Sequence, residues 1–143
     1  MTAGEARERL AGARVARLAT AGADGRPHVV PCTIAVLGED TIVSAVDHKP
    51  KRTTALQRLA NIAANPRVAV LADHYEDDWD ALWWARADGV ARVVEPGAEP
   101  GLRTEAVRAL AARYAQYRER PPAGALVVIA VERWSGWAAQ AGV

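Results

Sequence analysis

The chain has one cysteine, Cys32, so no internal disulfide can form. It has no apolar run long enough to span a membrane and no secretory signal pattern, which points to the cytoplasm. It has almost no net charge, +1 from 18 basic and 17 acidic residues. Without a global basic field, nucleic acid is disfavoured as the main partner, and any anion site must be local. Ligand-like histidine clusters are missing too. His74 stands alone beside Asp73, Glu76, Asp77, Asp78 and Asp80, and the spacing matches no metal-ligand motif, so no metal site is assigned and the stretch reads as a solvated acidic loop. No triad or carboxylate dyad is found either. The titratable candidates His28, His48, Tyr75 and Cys32 have no partner at a telling spacing, and catalytic residues stay unassigned. Cys32, in an apolar strand, reads as packing.

Lysine is scarce in an informative way. Lys49 and Lys51 are the only two, and every other basic residue is arginine. They fall in DHKPKR, between the apolar run TIVSAV and the amphipathic segment TTALQRLANIAANP, which a second apolar run, RVAVLAD, follows. This reads as strand, basic loop, helix, strand. Thr54 and Gln57 have capping-box spacing, placing the helix start at Thr53 or Thr54, with backbone N–H groups facing the loop. Cations beside a helix N-terminus suit a phosphate or carboxylate. Three cations in a row also read as a solvated turn. Leu56, Leu59, Ala60 and Ala63 recur at helical spacing and are expected to form the buried face, with Arg58 and Asn61 facing elsewhere and Pro66 ending the helix.

With 143 residues, half of them hydrophobic, the chain is expected to form one domain, residues 1–143, with a substantial core. Thr2 and Glu5 make another capping-box spacing, and Ala6, Leu10 and Ala13 continue an apolar stripe, so a short first helix is expected. RVARLAT, from Arg14, is a strand before the turn at Asp24–Gly25. One strand is expected from Pro27 to Val36 and another from Thr41, joined through Gly38, Glu39 and Asp40. Three such strands suggest an antiparallel meander. Pro31 cannot donate to a ladder, so its strand is an edge or is bulged. Beyond the acidic loop a strand is expected from Leu82 to Val94, bent or bulged at Gly89. Adjacent Trp83 and Trp84 must point to opposite faces, and the outward indole suggests a dimer or a ligand. A helix over LRTEAVRALAARYAQYRER, with Val107, Leu110, Tyr114 and Tyr117 on one side, precedes a final strand from Leu126 to Trp137. Trp134 and Trp137 would face opposite ways. Mostly antiparallel strands with helices outside suggest a mainly β fold, a small barrel.

Taken in order, PHVVP, TIVSAVDHKPKR, LQRLANIAANPRVAVLAD and WWARADGVARVV resemble the split β-barrel flavin and deazaflavin oxidoreductases, the pyridoxamine 5'-phosphate oxidase superfamily. Within it the chain is most similar to a branch of probable coenzyme F420-dependent enzymes, which share KPKRT and HYEDDWDALWWARADG. The resemblance implies a homodimer with cofactor sites at the interface, F420 (alternatively FMN) as cofactor, and hydride transfer to a small conjugated acceptor. It also implies that the ring lies near Val30, Pro31, Cys32 and Thr33, with Ser44 and Ala45 beside it. Lys49, Lys51, Arg52 and Thr53 would hold the phosphate and any charged tail, with His48 as a further phosphate contact; Trp79, Trp83 and Trp137 of the partner subunit would cover the ring or shape the substrate pocket. Vitamin B6 oxidation is not expected, because the chain is much shorter than that oxidase and lacks its C-terminal extension. Two other classes stay open: a non-catalytic carrier of flavin, deazaflavin or haem, and a barrel stacking single-stranded nucleic acid on tryptophans, against which the near-neutral charge counts.

Overall fold

The computed structural model describes residues 1–46 and 53–140, and for residues 53–56 the backbone only. Helix α1 (Ala3–Gly12) opens with the expected capping box: Glu5 N donates to Thr2 Oγ1 at 3.1 Å, and Thr2 N donates to Glu5 Oε2 at 3.0 Å. Four strands follow, β1 (Ala16–Ala21), β2 (Pro27–Cys32), β3 (Ala35–Leu37) and β4 (Thr41–Ala45). After them come α2 (Thr53–Ala64), β5 (Arg67–His74), a 3-10 turn (Trp79–Ala81) and β6 (Trp83–Val94). The chain continues through α3 (Pro100–Arg113) and α4 (Ala115–Glu119) to β7 (Leu126–Ala138). Because α2 already includes Thr53, Thr54 is a helical residue, not a cap. Among the described residues, no helix is long and apolar enough to cross a membrane.

All strands pair antiparallel in one sheet of order β2-β1-β5-β6-β7-β4-β3. The expected meander is therefore corrected. The strand foreseen over residues 27–36 breaks at Thr33–Ile34, and its two pieces sit at opposite ends of the sheet. Laid flat, seven strands would be about 29 Å wide at ~4.8 Å per spacing. The three-residue step from Cys32 to Ala35 reaches only about 10–11 Å. The sheet must curl until its ends meet, so this short connection closes the barrel. Pro31 pairs with Arg17 in regular register on the end strand β2, so the edge alternative holds and the bulge does not.

Inside the barrel Leu18, Ile42, Val70, Val127 and Ile129 are nearly solvent-free, and Ala6 and Leu10 of α1 join them. Beneath α3 lies a second cluster, with Val43, Val94, Leu110, Leu126 and Val128. The β6–β7 register shifts between Asp88 and Gly89: Asp88 faces Arg133 and Gly89 faces Val131, leaving Glu132 as the extra residue of a bulge in β7. A Cβ on Gly89 would overlap the Ala130 carbonyl oxygen, so the predicted irregularity at Gly89 comes from close backbone approach. The long helix expected over residues 102–120 is broken at Tyr114, whose backbone is extended (φ −124°, ψ 118°).

Candidate functional site

The break between β2 and β3 removes Thr33 and Ile34 from the ladder, and side chains from elsewhere take their polar groups. Ser44 Oγ donates to the Thr33 carbonyl at 2.7 Å, and Thr33 Oγ1 lies 2.9 Å from Tyr117 Oη. Ile34 N donates to Tyr114 Oη at 3.3 Å, while Arg113 donates to the Ile34 carbonyl at 2.6 Å. Tyr114 Oη also donates to the Arg14 carbonyl at 3.0 Å. The helix break at Tyr114 and the strand break at Thr33 are thus one device. Ser44 is almost fully buried and serves Cys32 as well as Thr33. Burial pushes the Cys32 thiol up; the Arg58 charge and a hydrogen bond with Ser44 pull it back in part.

Arg58 is the surprise of α2. It was expected to face away from the core, with Asn61, yet Arg58 is only 8% exposed and Asn61 3%. The expected burial of Ala60 and Ala63 is reversed, for both are exposed; Leu59 is half-buried, and the Leu56 side chain lies outside the described residues. Alanine loses little when left in water, so two alanines do not define a buried face against a real anchor at Ile62, 3% exposed. Asn61 Nδ2 donates to Thr20 Oγ1 at 3.0 Å and Gln57 Nε2 to Asn61 Oδ1 at 2.8 Å, pinning α2 to β1. Arg58 Nε is buried without a hydrogen-bond partner, and Arg58 is in none of the ion pairs among the described residues. A buried, uncompensated guanidinium is costly unless an anion meets it.

The residues expected around the ring divide between surfaces. Val30 and Cys32 face the interior with Ser44, Pro31 points outward from the edge, and Thr33 is held at the break. Ala45 belongs to the cluster under α3, on the opposite face of β4 from Ser44. His48, Lys49, Lys51 and Arg52 lie outside the described residues, as does the Thr53 side chain. Trp83 packs on the barrel core with the Arg9 guanidinium 4.7 Å from its ring centroid. Trp137 is on the outer face, directly across from Trp84, and Trp79 is 74% exposed on its turn. Within one chain these three tryptophans are not brought together. In the acidic loop His74 pairs with Glu76, and Asp78 Oδ1 accepts from Asp80 N at 3.1 Å. Arg58 was missed by sequence reasoning. Its one signal was an arginine and an asparagine three positions apart on a helix otherwise rich in alanine.

A curled antiparallel sheet closed through a two-residue strand break, with helices packed around it, defines the split β-barrel class. The sequence profile of pyridoxamine 5'-phosphate oxidase matches residues 2–138, and the chain belongs to that family. Among solved structures, a conserved hypothetical protein from Mycobacterium tuberculosis is 25% identical, with TM-score 0.76 over 98% of this chain and 86% of the other. An FAD-binding protein from Mesorhizobium loti is 23% identical (TM-score 0.71; 95% and 94% covered), and the heme storage protein HutZ from Vibrio cholerae is 20% identical (TM-score 0.69; 94% and 92% covered). These likenesses are likenesses of fold. No curated protein sequence matches the chain.

Proposed function

We propose that the protein is an F420-dependent oxidoreductase, with FMN as the alternative cofactor, acting on a small conjugated acceptor. The observation that carries this reading is Arg58: a buried guanidinium with an unpartnered Nε, acting on Cys32 beside Ser44 at the strand break. Its chemistry fits the phosphate of a flavin or deazaflavin. Lys49, Lys51 and Arg52, next to the start of α2 in sequence, would add charge to the same end. F420, when bound, supplies the hydride; the chain supplies binding, orientation and electrostatics. In this reading Arg58 compensates the phosphate charge, and Ser44 and Tyr117 keep the Thr33 break in shape. The Cys32 thiol, raised by burial, stays neutral near pH 7 and adds no charge beside the ring.

The same reading includes a homodimer. One cross-strand row, Pro31, Arg17, Leu71, Arg86 and Ser135, runs over the outer face of five strands. Near it Val29 is 62% exposed and Trp137 47%. Apolar groups of this size on a sheet face suit a partner surface.

Titration of the purified protein with F420 and with FMN, followed by tryptophan quenching, tests the proposal. Binding of F420 that Arg58→Met weakens, and that a Lys49→Ala/Lys51→Ala double variant also weakens, is expected. Loss of reduced-F420 absorbance on adding an enone or quinone would then show turnover. Tight binding without turnover would leave a carrier, FMN binding alone would shift the cofactor, and failure of both cofactors to bind would remove the proposal.

A further inference from the structure

Between the segment that leads into β1 and the junction of α3 with α4 lies a cleft of about 650 Å³ that the cofactor reading leaves unused. Arg14, Arg113 and Arg118 line it with Thr33 and Tyr117, and Val15, 43% exposed, adds an apolar patch. Among the described residues no acidic side chain lines it. Of the residues expected near the ring it takes in Thr33 alone, and neither Arg58 nor Cys32 belongs to it.

The three guanidiniums are drawn together by the last turn of α3, whose carbonyls have no partner further along the helix and so attract donors. Arg14 Nη1 donates to the Arg113 carbonyl at 2.7 Å, and Arg118 Nη1 donates to the Ala111 carbonyl at 2.8 Å. Arg113 turns back to the Ala13 and Ile34 carbonyls, both at 2.6 Å. These carbonyls explain why the arginines gather here, but they do not balance the charge. A helix C-terminus is worth about half a negative charge, against three positive ones. None of the three is in an ion pair among the described residues. A guanidinium also carries more N–H groups than the one or two carbonyls that each of these meets.

Like charges gathered in one cleft repel, and a ligand of opposite charge relieves this. The amount of charge selects its class: a single carboxylate leaves a surplus, whereas a dianion brings the roughly +2.5 left after the helix end close to balance. The planar fork of a guanidinium suits phosphate and carboxylate oxygens alike. Val15 and the Tyr117 ring, edge-on to Tyr114 with 5.8 Å between centroids, give an apolar body a place beside the charges. A volume of this size fits a small molecule. We infer that this cleft is a second ligand site, for a small organic dianion, a phosphate monoester or a dicarboxylate, held by Arg14, Arg113 and Arg118. The site stands independently of the Arg58 reading.

Isothermal titration calorimetry with phenyl phosphate, phthalate and benzoate provides the test, at matched ionic strength and about pH 7.5, where a phosphate monoester carries nearly two charges. All three probes have an aromatic body, and benzoate carries a single charge. At least one dianion is expected to bind ~10-fold or more tighter than benzoate. Which of the two binds separates the phosphate class from the dicarboxylate class. Arg14→Gln and Arg118→Gln each remove one charge; both side chains are exposed, so the changes are compatible with folding, and thermal melting checks this. Each should weaken the bound dianion by about tenfold. Arg58→Met should leave dianion binding unchanged. Loss of binding in Arg58→Met but not in the two glutamine variants would place the anion at the phosphate site and overturn the inference. So would benzoate binding as tightly as both dianions, or a wild type that binds neither dianion.

Discussion

Helices α2 and α3 both lie against the barrel, and what they bury there differs. α3 buries Ala106 and Leu110 in an apolar cluster with Val94 and Leu126, and on the same helix Arg103 donates to the Val94 carbonyl at 3.2 Å while its Nε is buried without a partner. Its last residue, Arg113, spends its guanidinium on the carbonyls of Ala13 and Ile34, both at 2.6 Å. α2 buries Ile62 and, beside it, Asn61 and Arg58. Asn61 is satisfied within the protein; Arg58 Nε is not. On α3 both Arg103 and Arg113 donate to backbone carbonyls of the fold. A helix that brings an uncompensated cation under the sheet is less stable than it could be, and that cost is understandable where an anion binds.

Substitutions can press on this contrast. The largest effect is expected from Leu110→Ala: a fully buried leucine should cost roughly 2–5 kcal/mol of unfolding free energy in denaturant titrations, with cofactor affinity of the folded protein unchanged. A matching loss of affinity would mean that the two helices do not divide the work in this way. Arg58→Met should do the reverse. Cofactor affinity should fall by about 1.5–3 kcal/mol, the worth of a charged hydrogen bond, while stability holds or rises because a buried cation is gone. If Arg58→Met proves strongly destabilising and leaves affinity alone, Arg58 is a structural residue.

Asn61→Ala removes the polar pin between α2 and β1 and should cost about 1–2 kcal/mol of stability, since the Gln57 amide and the Thr20 hydroxyl lose their partner. A smaller effect reports on Cys32. Burial holds its thiol above the ordinary range of about 8.5, so the folded state keeps its proton where the unfolded state has lost it. That contribution to stability is complete below about pH 8.5 and is lost as pH rises from there through the folded-state pKa. Iodoacetamide should therefore label Cys32 slowly at pH 8, and more slowly still in Arg58→Met, which removes the charge that lowers the thiol pKa. Faster labelling in the variant would contradict the placement of Arg58 beside Cys32.

Features governed by near neighbours in the chain were readable in advance. The Thr2–Glu5 box formed as its spacing required, and the turns at Gly25 and Gly38 adopt the positive φ that glycine tolerates, 79° and 57°. Pro31 marked an edge strand, and the adjacency of Trp83 and Trp84 forced them onto opposite faces. The break at Thr33–Ile34 could not be read, because PCTIAV is as good a strand sequence as its neighbours. Its hydrogen-bond partners, Ser44, Arg113, Tyr114 and Tyr117, come from residues 11 to 84 positions away. Tyr114 likewise fits a helical stripe until its hydroxyl is required at Arg14 and Ile34.

By itself, then, the sequence determined where most of the elements and turns lie and the alternation of side chains along each strand, because these follow from backbone stereochemistry and contacts a few residues apart, but not the breaks at Thr33–Ile34 and Tyr114. Only the tertiary structure decided where the ends of the sheet meet and which side of α2 is buried. On α2 the stripe read from the sequence includes Ala60 and Ala63, both exposed, whereas the buried side carries Arg58, Asn61 and Ile62. The choice fell to Ile62 packing in the core, Asn61 bonding to Thr20 and the Arg58 charge acting on Cys32, interactions that exist only once β1, β2 and α2 are assembled.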